Sequence, residues 1–70
     1  MMIGEMMSKW IRVYKSEDMP IYVYRREDGT YRTYAYRMIR YYTGENALQQ
    51  TLQFARDLGD SKILIKEFND

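Results

Sequence analysis

Hydrophobic and polar positions alternate from Lys9 to Lys15, with Ile11 and Val13 set against Trp10, Arg12 and Tyr14. A period of two predicts a half-buried strand. The polar stretch from Ser16 to Pro20 ends in the only proline and reads as a turn. Alternation resumes from Ile21 to Arg26, with Ile21, Val23 and Arg25 against Tyr22, Tyr24 and Arg26. Glu27-Asp28-Gly29 is then a strong hairpin signal. From Thr30 to about Tyr41 the chain is dense in Tyr and Thr, which favour a third, long strand.

After Tyr42 the period changes. Ala47, Leu48, Thr51, Leu52, Ala55 and Leu58 form one stripe at helical spacing, with Phe54 at its margin. Thr43 is the expected N-cap, and Glu45 falls in the expected first turn, where the helix dipole favours a negative charge. Gly59 fits the position just past the helix end. Lys62 to Phe68 predicts a last strand around Ile63, Leu64 and Ile65. The expected order is strand, strand, strand, helix, strand. The fold class is α+β: a two-layer, antiparallel-rich sheet of about four strands, with one helix on one face and the other face open.

Which side chains line the open face depends on hairpin register. A two-residue Asp28-Gly29 loop would put Tyr34 and Tyr36 on the face of Ile21 and Val23. A three-residue Glu27-Asp28-Gly29 loop, with Gly29 left-handed in a bulge, splits the residues differently. Tyr22, Tyr24, Arg26, Arg32, Tyr34 and Tyr36 then share one face, and Ile21, Val23, Thr33 and Ala35 the other. The second register is preferred, because Thr33 and Ala35 are small enough for a helix to pack closely over them. Ile11 and Val13 join the helix side, and Trp10, Arg12 and Tyr14 the open side.

Composition sharpens this picture. The chain has 70 residues, of which 46% are hydrophobic, but that share includes eight Tyr and six Met. Ile, Leu, Val and Phe together are few for a chain near the lower size limit of independent folding. Some tyrosine must therefore be buried, or a partner must cover part of the surface. Residues 1–7 read as a flexible Met-rich leader and 8–70 as one small domain. Cysteine is absent, which removes disulfides, thiolate metal sites and thiol nucleophiles. A secreted domain of this size is usually stapled, so a cytoplasmic setting is expected. No stretch has the length of a membrane span, and no membrane partner is expected.

Candidate chemistry is sparse. Histidine is absent, and the three serines lie in expected turns or near the start with no base beside them. Most carboxylates stand in exposed turns, so no catalytic residue is assigned and an enzyme is not expected. Neither acidic turn has the spacing of a calcium loop, and the four glycines stand singly, so no metal and no cofactor are expected.

Charge is more informative in its distribution than in its net value of +1. The stretch from Ser8 to Thr43 carries eight basic and four acidic residues, and all four acids sit in two turns. The candidate macromolecule-binding face is therefore Trp10, Arg12, Tyr14, Tyr22, Tyr24, Arg26, Arg32, Tyr34 and Tyr36. Tyr, Trp and Arg dominate protein interface hot spots. They also bind single strands, with bases on the rings and guanidinium groups on the phosphates. Cross-strand Tyr and Arg pairs can equally serve only to stabilise a sheet. A protein partner or a second copy of the chain is expected first, because association would bury the missing apolar area. Nucleic acid is second, since the acidic turns would repel it.

The run Tyr24-Arg25-Arg26-Glu27-Asp28-Gly29-Thr30-Tyr31-Arg32, followed by Tyr42-Thr43 and Ala47, resembles the arm-binding domains of phage-type integrases over residues 21–47. Those domains have a strand, an acidic-Gly turn, a strand and an aromatic-Thr-x-x-x-Ala helix start, and their three-stranded sheet lies in the DNA major groove. The resemblance implies a nucleic-acid role. The chain departs from the pattern in its lower basic charge and in the strand expected after the helix. Its size, clustered Met starts and lack of a catalytic set also resemble small phage-encoded regulators and inhibitors, which implies a viral protein acting on a host protein.

Overall fold

The computed structural model describes residues 9–66. Four strands precede one helix: β1 (Ile11–Lys15), β2 (Ile21–Arg25), β3 (Tyr31–Ala35), β4 (Met38–Tyr42) and α1 (Ala47–Asp57). The strands form one antiparallel sheet in the order β1-β2-β3-β4. The helix lies on one face, over β3 and β4. The α+β class is as expected, but the order of elements is not.

The β2–β3 hairpin follows the preferred register. Ile21 pairs with Ala35, Tyr22 with Tyr34, Val23 with Thr33 and Tyr24 with Arg32. The amide of Gly29 donates to the carbonyl of Arg26 at 3.0 Å, and the Arg26 amide donates to Thr30 at 3.0 Å. Gly29 has φ +90°, so glycine is what lets the three-residue loop close. Asp28 braces the turn by accepting from the Thr30 amide at 2.9 Å. That bond is the main reason the Asp28 carboxyl titrates below its ordinary value.

The expected long third strand breaks in two. Ala35 pairs with Met38, which leaves Tyr36 and Arg37 as a two-residue turn. Tyr36 takes φ +58° there, a region that L residues rarely enter. Its amide donates to the Pro20 carbonyl at 3.0 Å, which extends the β2–β3 ladder by one rung and helps hold the turn. So the fourth strand comes from the second half of this segment. The last expected strand is not formed among the described residues: 62–66 has no strand, and residues 67 and 68 lie outside them. The alternation there is genuine, since Ile63 and Ile65 are buried and Leu64 is exposed. Alternation reports which side chains point inward, whereas a ladder needs a partner in register. Leu64 and Lys66 line a cleft with Arg12 and Val13, where β1 is bulged and its register broken. The expected leader also lies outside the described residues.

The helix starts later than expected. Gly44, at φ +92°, turns the chain, and the first helical residue is Ala47. Asn46 takes the flanking position without a side-chain cap, so Thr43 is not the N-cap and Glu45 precedes the first turn. The C-terminus closes as a Schellman motif. The Asp60 amide donates to Ala55 at 3.0 Å and the Gly59 amide to Arg56 at 2.9 Å, with Gly59 at φ +113°.

The core lies between sheet and helix. Ile21, Val23, Tyr31 and Ala35 meet Ala47 and Ala55, and Ile63 and Ile65 complete the cluster. Tyr31, 2% exposed, is the tyrosine that supplies the missing core volume. Thr33 is fully buried, yet its hydroxyl has no hydrogen-bond partner. Thr33→Val keeps the shape and removes a polar group that gains nothing from burial. It is expected to stabilise by about 1 kcal/mol, raising Tm by a few degrees in thermal unfolding. A clear fall in Tm would mean that the hydroxyl has a partner.

Candidate functional site: the open sheet face

The face away from the helix is built by strand alternation. Tyr22 and Tyr24 from β2 stand opposite Tyr34 and Arg32 from β3. Arg12 stands opposite Tyr24, and Lys15 opposite Tyr22. From β4, Tyr41 stands opposite Arg32, and Ile39 opposite Tyr34. Trp10 lies across the top of this array.

The rings and cations are stacked on one another. The Arg32 guanidinium lies 4.2 Å from the Trp10 ring centre, 5.1 Å from Tyr34 and 5.4 Å from Tyr24. The Arg26 guanidinium lies 4.6 Å from Trp10. Tyr24 and Tyr34 are tilted against each other at 5.6 Å. Trp10 meets Tyr41 edge-on at 6.2 Å. Lys15 Nζ lies 5.8 Å from the Tyr22 ring. The cation–ring contacts are attractive because the ring face carries partial negative charge.

Among the described residues one ion pair is present, Arg26 with Asp28 at 3.5 Å, and it sits at the border of the face. Arg12, Lys15, Arg26 and Arg32 thus share a face with no carboxylate on it. The Nε atoms of Arg26 and Arg32 are buried without a hydrogen-bond partner. The stack fixes these guanidinium groups in place and partly desolvates them.

Seven of the nine expected residues come together here: Trp10, Arg12, Tyr22, Tyr24, Arg26, Arg32 and Tyr34. Two do not. Tyr14 points to the helix side, because β1 carries a bulge at Val13 between Arg12 and Tyr14, which swaps the faces beyond it. Tyr36 sits in the β3–β4 turn, exposed and off the face. Ile11, before the bulge, pairs with Arg25 on the helix side as expected, but it is 53% exposed. Lys15, Ile39 and Tyr41 are the additions. A turn at residues 36–37 places Ile39 and Tyr41 by register alone, but no Gly, Asn, Asp or Pro marks that turn in the sequence.

Tyr14 has a structural task instead. Its hydroxyl donates to Oδ2 of the buried Asp60 at 2.5 Å, tying β1 to the turn after α1. Burial raises the Tyr14 pKa above its ordinary value, and the hydrogen bond to Asp60 adds to the rise. A raised pKa means the folded state holds the phenol proton more tightly than the unfolded chain does. This contribution is fully present below about pH 10 and is lost as pH rises through the raised value. Tyr14→Phe should cost about 1–2 kcal/mol, by leaving the Asp60 carboxylate short of a donor. It should also make the alkaline fall in stability shallower. Denaturant titrations of both proteins across the alkaline range check this, and an unchanged slope would show that the Tyr14 pKa is not raised on folding.

The cleft beside this contact is lined by Tyr14, Ser16, Glu17, Asp18, Asp60 and Lys62, among others. Ser16 Oγ is engaged by the amides of Asp18 and Met19. Among the described residues no group of His, Cys, Asp and Glu side chains could hold a metal ion. Among them, too, no helix is long and apolar enough to cross a membrane. No family model matches the sequence, and neither a curated protein nor a solved structure matches the chain.

Proposed function

We propose that this protein is a small non-enzymatic recognition module that uses the open face to bind an acidic protein surface. In its fullest form this is a phage-type inhibitor or regulator of a host protein, acting in the cytoplasm, where a cysteine-free chain is at no disadvantage. The observation that carries the reading is the stack of Trp10, Arg26, Arg32, Tyr24 and Tyr34. Its cations are fixed beside aromatic surface; Arg26 keeps Asp28 at the border of the face, and no ion pair engages Arg32 among the described residues. Groups held in place before binding lose little entropy on association. Trp, Tyr and Arg in such a setting carry most of the energy of protein interfaces.

Nucleic acid is the second reading, supported by the four cations of the face. Against it, guanidinium groups already lie over the rings of Trp10, Tyr24 and Tyr34, where bases would need to stack. The acidic pairs Glu17-Asp18 and Glu27-Asp28 stand at the two ends of β2, where they oppose a polyanion. Face-to-face self-association is disfavoured as well, since it would set these cations against their own copies.

Trp10 is the only tryptophan and lies on the face, so its fluorescence is a built-in probe. The test is a titration with a synthetic peptide alternating Glu and Leu, and with single- and double-stranded oligonucleotides. The peptide should shift Trp10 emission saturably, and Arg12→Ala should weaken it without changing Tm. Saturable binding of an oligonucleotide at about 0.15 M salt, with no response to the peptide, would move the function to nucleic acid.

A further inference from the structure

The two edges of the sheet differ. The β1 edge is bulged at Val13 and neighbours the segment carrying Leu64 and Lys66. The β4 edge has neither protection: no strand pairs with its outer side among the described residues, β4 contains no proline, lysine or bulge, and its one charge, Arg40, lies against Phe54 on the helix side. Its side chains are open, with Ile39 54%, Tyr41 58% and Met38 37% exposed. An unprotected edge with exposed apolar side chains is a template for another strand.

We infer that β4 pairs antiparallel with β4 of a second copy, joining two sheets into one of eight strands. Backbone geometry sets which residues can bond. The two-residue turn makes Ala35 and Met38 the closing hydrogen-bonded pair. By alternation, Ile39 and Tyr41 then direct their amides and carbonyls away from β3. Both helices stay on one side only if paired residues differ by an even step, because an odd step turns one copy over.

Charge excludes one register, and an aromatic partner for Arg40 favours pairing about Tyr41 over pairing about Ile39, which would set Arg40 against Met38. Pairing about Arg40 would set Arg40 directly against Arg40 of the other copy, which is repulsive. Pairing about Tyr41 sets Tyr41 against Tyr41, Arg40 against Tyr42 and Ile39 against Thr43. The outward backbone groups of Tyr41 meet each other, so the symmetric pair is hydrogen-bonded. On the helix side, Arg40 already lies 4.9 Å from the Phe54 ring, and Tyr42 packs against Phe54 at 6.3 Å. Tyr42 of the second copy extends this cluster with an aromatic face for Arg40. The inference does not depend on what the open face binds.

Sedimentation of the full chain should show a concentration-dependent dimer in the micromolar range. Tyr41→Lys places like charges opposite each other at the two-fold axis and should raise the dissociation constant at least about tenfold. Ile39→Lys is the second variant should the first fail to fold. The chain has no cysteine, so single substitutions give a clean trap. Directly opposite residues of a hydrogen-bonded pair have Cα atoms about 5.5 Å apart, within disulfide range. Tyr41→Cys should therefore cross-link on mild oxidation, and Arg40→Cys should not. A chain that stays monomeric at every concentration overturns the inference. So does a dimer that both lysine variants leave intact, or a cross-link at position 40 in place of 41.

Discussion

Tyr31→Ala is expected to remove a large part of the protein's stability at 25 °C. Tyr31 is the largest fully buried side chain among the described residues, and it joins the cluster formed by Ile21, Val23 and the alanines of α1. The Arg25 guanidinium also lies 5.8 Å from its ring. Truncating a buried aromatic costs about 3–5 kcal/mol, because the cavity collapses only in part. A chain of this length holds only about 4–10 kcal/mol in total. The substitution therefore removes a large part of the available stability. Urea unfolding followed by circular dichroism reads the effect, with Tyr22→Ala as the comparison. Tyr22 is half-exposed on the open face, so its loss should cost about 1 kcal/mol. Equal losses from the two variants would mean that the faces are wrongly assigned.

The second large effect is overpacking. Ala55→Leu should destabilise by up to about 3 kcal/mol, although leucine is an excellent helix former. Ala55 is fully buried, and Ala47 and Thr51 lie on the same stripe with 2% exposure or less. Across from them the sheet offers Thr33 and Ala35, both fully buried and small. Helix and sheet approach closely because all of these residues are small, so a larger side chain must push them apart. The exposed Gln49→Leu is the control, since it carries the same helix propensity but meets no wall. If Ala55→Leu unfolds at the same urea concentration as that control, the helix is not seated as described.

Much of this architecture was legible in the residues. Ile21, Val23, Thr33 and Ala35 could share a buried face only with a three-residue loop at Glu27-Asp28-Gly29, so parity fixed the central hairpin and the faces of Tyr22, Tyr24, Arg32 and Tyr34. The stripe from Ala47 to Leu58 was equally plain. Three features were not. The β3–β4 turn uses Tyr36 and Arg37, residues with no turn preference, and it is held by pairing on both sides. The bulge at Val13 leaves no local signature, yet it moves Tyr14 from one face to the other. The segment from Lys62 to Lys66 alternates as a strand does, but alternation measures burial and carries no information about a pairing partner. Two of the open-face residues, Ile39 and Tyr41, were hidden behind the missing turn.

The order β1-β2-β3-β4 means that every strand pairs only with its neighbours along the chain. Little loop entropy is lost in bringing such partners together, so the sheet can assemble hairpin by hairpin, each in about 1–10 μs. Without α1, however, the sheet leaves Ile21, Val23 and Tyr31 uncovered. The tie from Tyr14 to Asp60 spans 46 positions and closes only when the C-terminal part arrives. Folding should therefore be limited by the docking of residues 47–66 on a sheet already paired. During synthesis, that sheet must wait for its cover until residues 47–66 have left the ribosome.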